Sequence, residues 1–223
     1  MKSDSPNELG SRLMKAVEAI AISPKDARAL VANYRKKVGV AEGEKVSHEQ
    51  RALIADHLIA RYAKFAATSG GATALAGVIP GLGTVVTMLG GATADIAVVI
   101  KLQADLCLCI ADAFEYDIDD PTARHLAYMI SLGATLNQAG VGIGTQVASK
   151  AGVKMIREYL KGATLQFIKQ LFAKVGLVFS RKSLEKALPF GIGVAFGITA
   201  NYHLVKYVGR QAKQWFMIDA ETE

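Results

Sequence analysis

AATSGGATALAGVIPGLGTVVTMLGGATADIAVVIKLQADLCLCIADAF, residues Ala66 to Phe114, is the stretch on which the fold turns. No charged residue occurs between Ala66 and Ala94, and Gly70, Gly71, Gly77, Gly81, Gly83, Gly90 and Gly91 punctuate it. About 20 apolar residues are enough to cross a bilayer. The composition argues against a plain anchor, because Gly and Ala gain little on entering lipid. Pro80-Gly81 is also a turn signal: Pro fixes φ and removes an N–H, and Gly accepts unusual dihedrals. The reading is two helical arms joined at Ile79, Pro80, Gly81, Leu82 and Gly83. Small residues at Gly70/Ala74 and Gly77/Gly81 let helix backbones approach closely, in water or in lipid. The hairpin is therefore either buried in a helical bundle or in contact with a membrane. Neither reading implies catalysis.

Working outward, the 223 residues suffice for one large domain or two small ones, and 51% of them are hydrophobic. The polar start, Met1 to Gly10, has no secretory pattern, so a cytoplasmic compartment is expected. Cys107 and Cys109 are the only cysteines. On a helix they point about 200° apart, which forbids a mutual disulfide and predicts buried, reduced thiols.

The net charge of +6 is unevenly spread. Residues 1–65 carry 12 basic and 8 acidic side chains, residues 66–149 carry 2 and 7, and residues 150–223 carry 12 and 5. A basic C-terminal third around an apolar middle suits an anionic lipid surface better than a nucleic-acid groove.

Helix starts are written locally. Ser5-Pro6-Asn7-Glu8, Ser23-Pro24-Lys25-Asp26 and Ser47-His48-Glu49-Gln50 are capping signals, and Asp120-Pro121 is a fourth. Ala27, Leu30, Val31 and Tyr34 form one helical stripe; Ile54, Leu58, Tyr62 and Phe65 form another. Arg35-Lys36-Lys37 followed by Gly39 closes the second helix. A single helix of about 30 residues is expected from near Gly83 to near Tyr116, ending in Asp112, Glu115, Asp117, Asp119 and Asp120. A mostly apolar helix, Pro121 to Gln138, follows, and Gly140, Gly142 and Gly144 make a loop. No segment sustains the period-two alternation of a strand. The expected fold is all-α, one bundle of about eight helices with glycine-rich helices at its centre. Its expected parts are amphipathic helices in residues 1–46, a helical domain in 47–218 and an acidic frayed tail in 219–223.

Two basic faces stand out. Lys150, Lys154, Arg157 and Lys161 fall within about 60° on one helix, apart from an apolar stripe of Val153, Ile156, Leu160 and Phe167. Lys206, Arg210 and Lys213 share a face near Tyr207, Trp215 and Phe216, after the uncharged run Leu188 to Val205 with its Gly193/Gly197 pair. Solvated faces and a docked helix end account for both; anionic headgroups and a membrane interface do so as well. Asp95 and Asn201 each follow a glycine-rich run inside an apolar helix. They are expected to pair and hold two long helices in register, unless each faces a polar surface. Lys101 and Asp105 form an i, i+4 ion pair in the less favourable order.

Gly77 to Gly83 lacks the Lys-Ser/Thr end of a phosphate loop, and the Gly140 loop follows no strand. His48, His57, His125 and His203 are dispersed, with no i, i+4 metal pair. No nucleophile elbow is visible. No catalytic residue, metal or cofactor is expected.

Two regions together resemble a known family. Val78 to Asp117 is similar to the EcsC family, with its glycine-rich hairpin, Ala94-Asp95-Ile96, and a long helix ending in Phe114-Glu115-Tyr116-Asp117. Pro189, Gly191, Gly193, Gly197, Asn201, Gly209-Arg210, Ala212 and Phe216 resemble the family's close, and the likeness spans Ser47 to Phe216. The family's helix commonly ends in a Tyr-Gly-Tyr-Asp-like run, which Phe114-Glu115 here departs from. A related domain that accompanies membrane-associated GTPases has the same look. The resemblance implies a bacterial, helical, membrane-associated protein without established catalytic residues. The leading expectation is a non-enzymatic protein at the inner membrane, peripheral or inserted, that engages anionic lipid or a membrane protein complex. The contacts would be Ile79 to Gly83, the two basic faces and Trp215. The alternatives are a helical carrier of an apolar ligand or lipid, and a pore-forming effector that inserts its hairpin.

Overall fold

The computed structural model describes residues 6–41, 43–68, 79–142, 146–162, 164–184 and 198–221. Among these, nine helices and no strand are present. They are α1 (Pro6–Ile20), α2 (Pro24–Lys37), α3 (His48–Thr68), α4 (Leu82–Leu89), α5 (Gly91–Ala113), α6 (Pro121–Gln138), α7 (Lys150–Lys161), α8 (Thr164–Leu184) and α9 (Ile198–Ala220). The all-α reading stands. The pairs Gly70/Ala74, Gly77/Gly81 and Gly193/Gly197 fall wholly or partly outside the described residues, as does Pro189.

The caps form as local chemistry dictates. Ser23 Oγ accepts from Asp26 N–H at 3.1 Å. Ser47 Oγ accepts from Gln50 N–H at 3.2 Å while Gln50 Oε1 accepts from Ser47 N–H at 2.9 Å, a reciprocal box. Asp120 Oδ1 accepts from Thr122 N–H at 2.8 Å, and Pro121 opens α6.

The single long helix after the turn is not formed. Gly90 takes φ 77° and ψ 159°, a region that only glycine occupies at low cost, and ends α4 before α5 begins. Two consecutive glycines, each about 1 kcal/mol poorer than Ala in a helix, make this the weak point of the run.

α5 runs through the interior. Ile100, Leu106, Cys107, Leu108, Cys109 and Ile110 are all buried, and α6 lies against them with Leu126 to Leu136. α3 and α9 pack along one another, and α1 packs along α8. Close approach at these crossings is set by glycines. A Cβ on Gly10 would come within 2.5 Å of the Lys169 carbonyl on α8. A Cβ on Gly209 would sit 2.6 Å from Ile59 of α3 and 2.8 Å from Leu106 of α5. Small-residue nesting is thus observed at Gly10 and Gly209, positions the sequence did not single out for it. α1 and α2 belong to the same core, through Leu13, Val17, Ala27 and Val31.

Two charged devices tie the layers. Lys101 and Asp105 form the expected ion pair at 2.6 Å. The other Asp105 oxygen accepts the Ile22 N–H at 3.0 Å, and Arg124 Nη2 donates to the Ile22 carbonyl at 2.9 Å. The α1–α2 connection is therefore held from both sides. Burial raises the Asp105 pKa, opposed by the Lys101 ammonium and the Ile22 N–H. The acidic end of α5 is met by arginines: Arg28 pairs with Asp119, Arg51 with Glu115, and Arg35 Nη2 donates to the Asp112 carbonyl at 3.0 Å.

Candidate functional site: a basic groove along α7

α7 begins at Ser149, whose Oγ accepts from Gly152 N–H at 3.0 Å. Its buried side is Gly152, Val153 and Ile156. With that stripe turned inward, 3.6-residue periodicity leaves Lys150, Lys154 and Lys161 exposed on one face, with Arg157 beside them. These four cations, with Val153, Glu158 and Glu221, line a groove of about 450 Å³. The predicted basic face is thus assembled as expected, and the end of α9 supplies the acid at Glu221.

The groove rests on a buried carboxylate. Asp219 is 2% exposed. Arg157 Nε donates to its Oδ1 at 2.5 Å, and Tyr116 Oη donates to its Oδ2. The ring of Tyr116 meets Phe216 edge-on at 4.9 Å, and Phe114 stacks on Phe216 at 5.7 Å. The aromatic-acidic end of α5 and the close of α9 are therefore one cluster in space.

This corrects the expected frayed tail. α9 continues to Ala220, and Asp219 is a buried anchor between α5, α7 and α9. A signal for it existed: Asp219 follows Ala212 and Phe216 at helical spacing, so it extends the buried stripe.

The other expected contact residues are distributed differently. Ile79 is 4% exposed and Leu82 is fully buried, so both point into the core. Only Pro80, Gly81 and Gly83 of the turn are exposed. The physical reason is local: Gly81 at φ 81° caps α4 from the left-handed region, and the apolar side chains on either side of it, Ile79 and Leu82, are buried in the core. Trp215 is 1% exposed, packed on Phe216 at 5.0 Å, and is a core residue, not an interface anchor. On the α9 face, Lys213 pairs with Asp56 at 2.8 Å, Lys206 lies over the Tyr202 ring at 5.4 Å, and Arg210 is exposed.

No hydrogen bond links Asp95 to Asn201 among the described residues. Asn201 is buried with an Oδ1 that meets no hydrogen-bond partner, and Asp95 is only half-buried on α5. A carboxylate that does tie α5 to its neighbours is Asp105, one turn beyond Lys101, where the ion pair, the Ile22 N–H and the nearby Arg124 guanidinium oppose the cost of burial.

Cys107 and Cys109 are buried free thiols. Burial raises both pKa values, that of Cys109 to about 12, and Tyr62 Oη lies 3.6 Å from its sulfur. Neither thiol is ionised or accessible enough to serve as a nucleophile. No helix among the described residues is long and apolar enough to cross a membrane.

Compared with known proteins, residues 6–218 match the model of the EcsC protein family. The match takes in α1 and α2 and so extends beyond the Ser47–Phe216 likeness. No curated protein and no solved structure matches the chain.

Proposed function

The chain belongs to the EcsC protein family, and from that premise we propose that it works at a membrane surface, engaging anionic lipid through α7. The observation that carries this reading is the α7 groove, lined by four cations of which Lys150 and Lys154 are exposed and meet no carboxylate among the described residues, while the apolar stripe of the helix is spent on the core. A cationic helix face of this kind is attracted to an anionic leaflet, each Lys or Arg near the surface contributing about 1 kcal/mol. The α9 face adds less, because Lys213 and Lys206 are engaged within the fold. The protein is read as a non-enzymatic, peripheral binder in the bacterial cytoplasm.

Vesicle flotation tests it. Binding to vesicles containing anionic lipid, with release at high salt, is the expected result. Equal recovery on neutral and anionic vesicles, or no recovery on either, removes the electrostatic surface reading. Retention after a high-salt wash would instead point to apolar insertion.

A further inference from the structure

We propose that the α7 groove is a site for one kind of headgroup, a terminal phosphate of the phosphatidic acid class, held by Lys150 and Lys154. The proposal rests on the membrane-surface reading above and adds the lipid class to it.

The cations of the groove are not equivalent. Lys161 meets Glu158 at 3.3 Å, and Arg157 meets Asp219 at 2.5 Å. Lys150 and Lys154 meet no carboxylate among the described residues, and both are exposed. They lie one turn apart on the same face, so their Cβ atoms are about 6 Å apart and their ammonium groups can bracket one ligand. Two positive charges that meet no carboxylate among the described residues match a group carrying two negative ones. A phosphomonoester has about −1.5 to −2 charge at neutral pH and three acceptor oxygens, enough for both lysines at once. A phosphodiester headgroup has a single charge and leaves one ammonium unmatched.

The shape agrees with the charge. A recess of about 450 Å³ admits a phosphate with its glycerol, and Val153 offers the glycerol carbons an apolar contact. Glu221 lines the same groove and repels further negative charge. That favours a single terminal phosphate over an extended polyanion.

The test is flotation of the full chain with phosphatidylcholine vesicles carrying either phosphatidic acid or phosphatidylglycerol, adjusted to equal surface potential. The expected result is about tenfold tighter binding to phosphatidic acid at pH 7.5. The preference should shrink at pH 5, where the phosphomonoester loses its second charge. K150Q/K154Q should abolish the preference with an unchanged melting temperature, since both side chains are exposed. K206Q/R210Q should keep it, and E221Q should strengthen it.

Equal binding to the two anionic lipids at matched potential would overturn the headgroup assignment and leave the surface reading intact. A preference that survives in K150Q/K154Q would also overturn it. Binding to neither lipid would end both readings. Saturable binding of glycerol 3-phosphate without vesicles, tighter than binding to the vesicle surface, would reassign the groove to a soluble phosphate.

Discussion

At the residue scale, Glu115 is the position where conformation and chemistry disagree. It lies just past the Phe114 cap of α5 at φ 67°, the one non-glycine residue with positive φ among those described. An L-residue there costs roughly 1–2 kcal/mol, which glycine avoids. The resemblance had marked the same position as a departure, because a glycine is usual there. The structure supplies a reason for the glutamate: its carboxylate pairs with Arg51, whose Nε also donates to the Val46 carbonyl at 3.2 Å. A half-exposed pair of this kind is worth well under the strain. Glu115→Gly is therefore expected to be about 1 kcal/mol more stable than Glu115→Ala, measured by urea denaturation. Both variants lose the ion pair, and only glycine loses the strain. Equal stability of the two would show that the left-handed conformation costs nothing here.

At the element scale, the last turn of α9 is a structural clasp. Asp219→Ala removes the buried acceptor that Arg157 and Tyr116 share. The expected loss is about 2–3 kcal/mol, read from the denaturation midpoint. A frayed tail would lose nothing, so the measurement separates the two descriptions. Close crossings make a second prediction. Gly10→Ala gains helix propensity, but its Cβ would press on the Lys169 backbone, which cannot swing aside as a side chain could. A net destabilisation of about 1–3 kcal/mol is expected, seen as a lower melting temperature.

These elements also show what a sequence can reveal. Caps at Ser23, Ser47 and Asp120 were readable because donor and acceptor lie within three residues. The stripes Ala27/Val31 and Ile54/Leu58/Tyr62 were readable because period and burial go together. The basic face of α7 was readable for the same reason. The partner of α1 was not, since Gly10 and the α8 backbone it touches lie about 160 residues apart. The fate of Lys213 was equally hidden, because it depends on Asp56 across the α3–α9 crossing. The break at Gly90 was visible as a pair of glycines, yet composition alone does not say whether a helix bends, stops or continues through them.

At the scale of the whole molecule, burial holds the interior thiols and phenols in their neutral form. Burial raises Cys109 to about 12 and Tyr128 to about 12, and pushes Tyr62 well up. An unfolded chain releases these protons earlier, from about pH 8.5 for thiols and about 10 for tyrosines. The unfolded state then binds fewer protons than the native state, so stability falls as pH rises. The melting temperature is expected to drop progressively between pH 9 and 12. C107A/C109A should delay the onset, leaving only the tyrosine part. Below pH 8 these groups contribute no pH dependence, being protonated in both states. A melting temperature independent of pH between pH 9 and 12 would contradict the burial of Cys109, Tyr128 and Tyr62.

The pairing of α1 with α8 sets a clock on biosynthesis. A ribosome adding 5–20 residues each second takes about 8–30 s to deliver the surface that covers Gly10 once α1 has been made. Local helices form in microseconds or less, so the growing chain waits with an unclothed apolar flank throughout that interval. Whatever shelters that flank in the interval, chaperone or bilayer, meets this protein before its own C-terminal helices do.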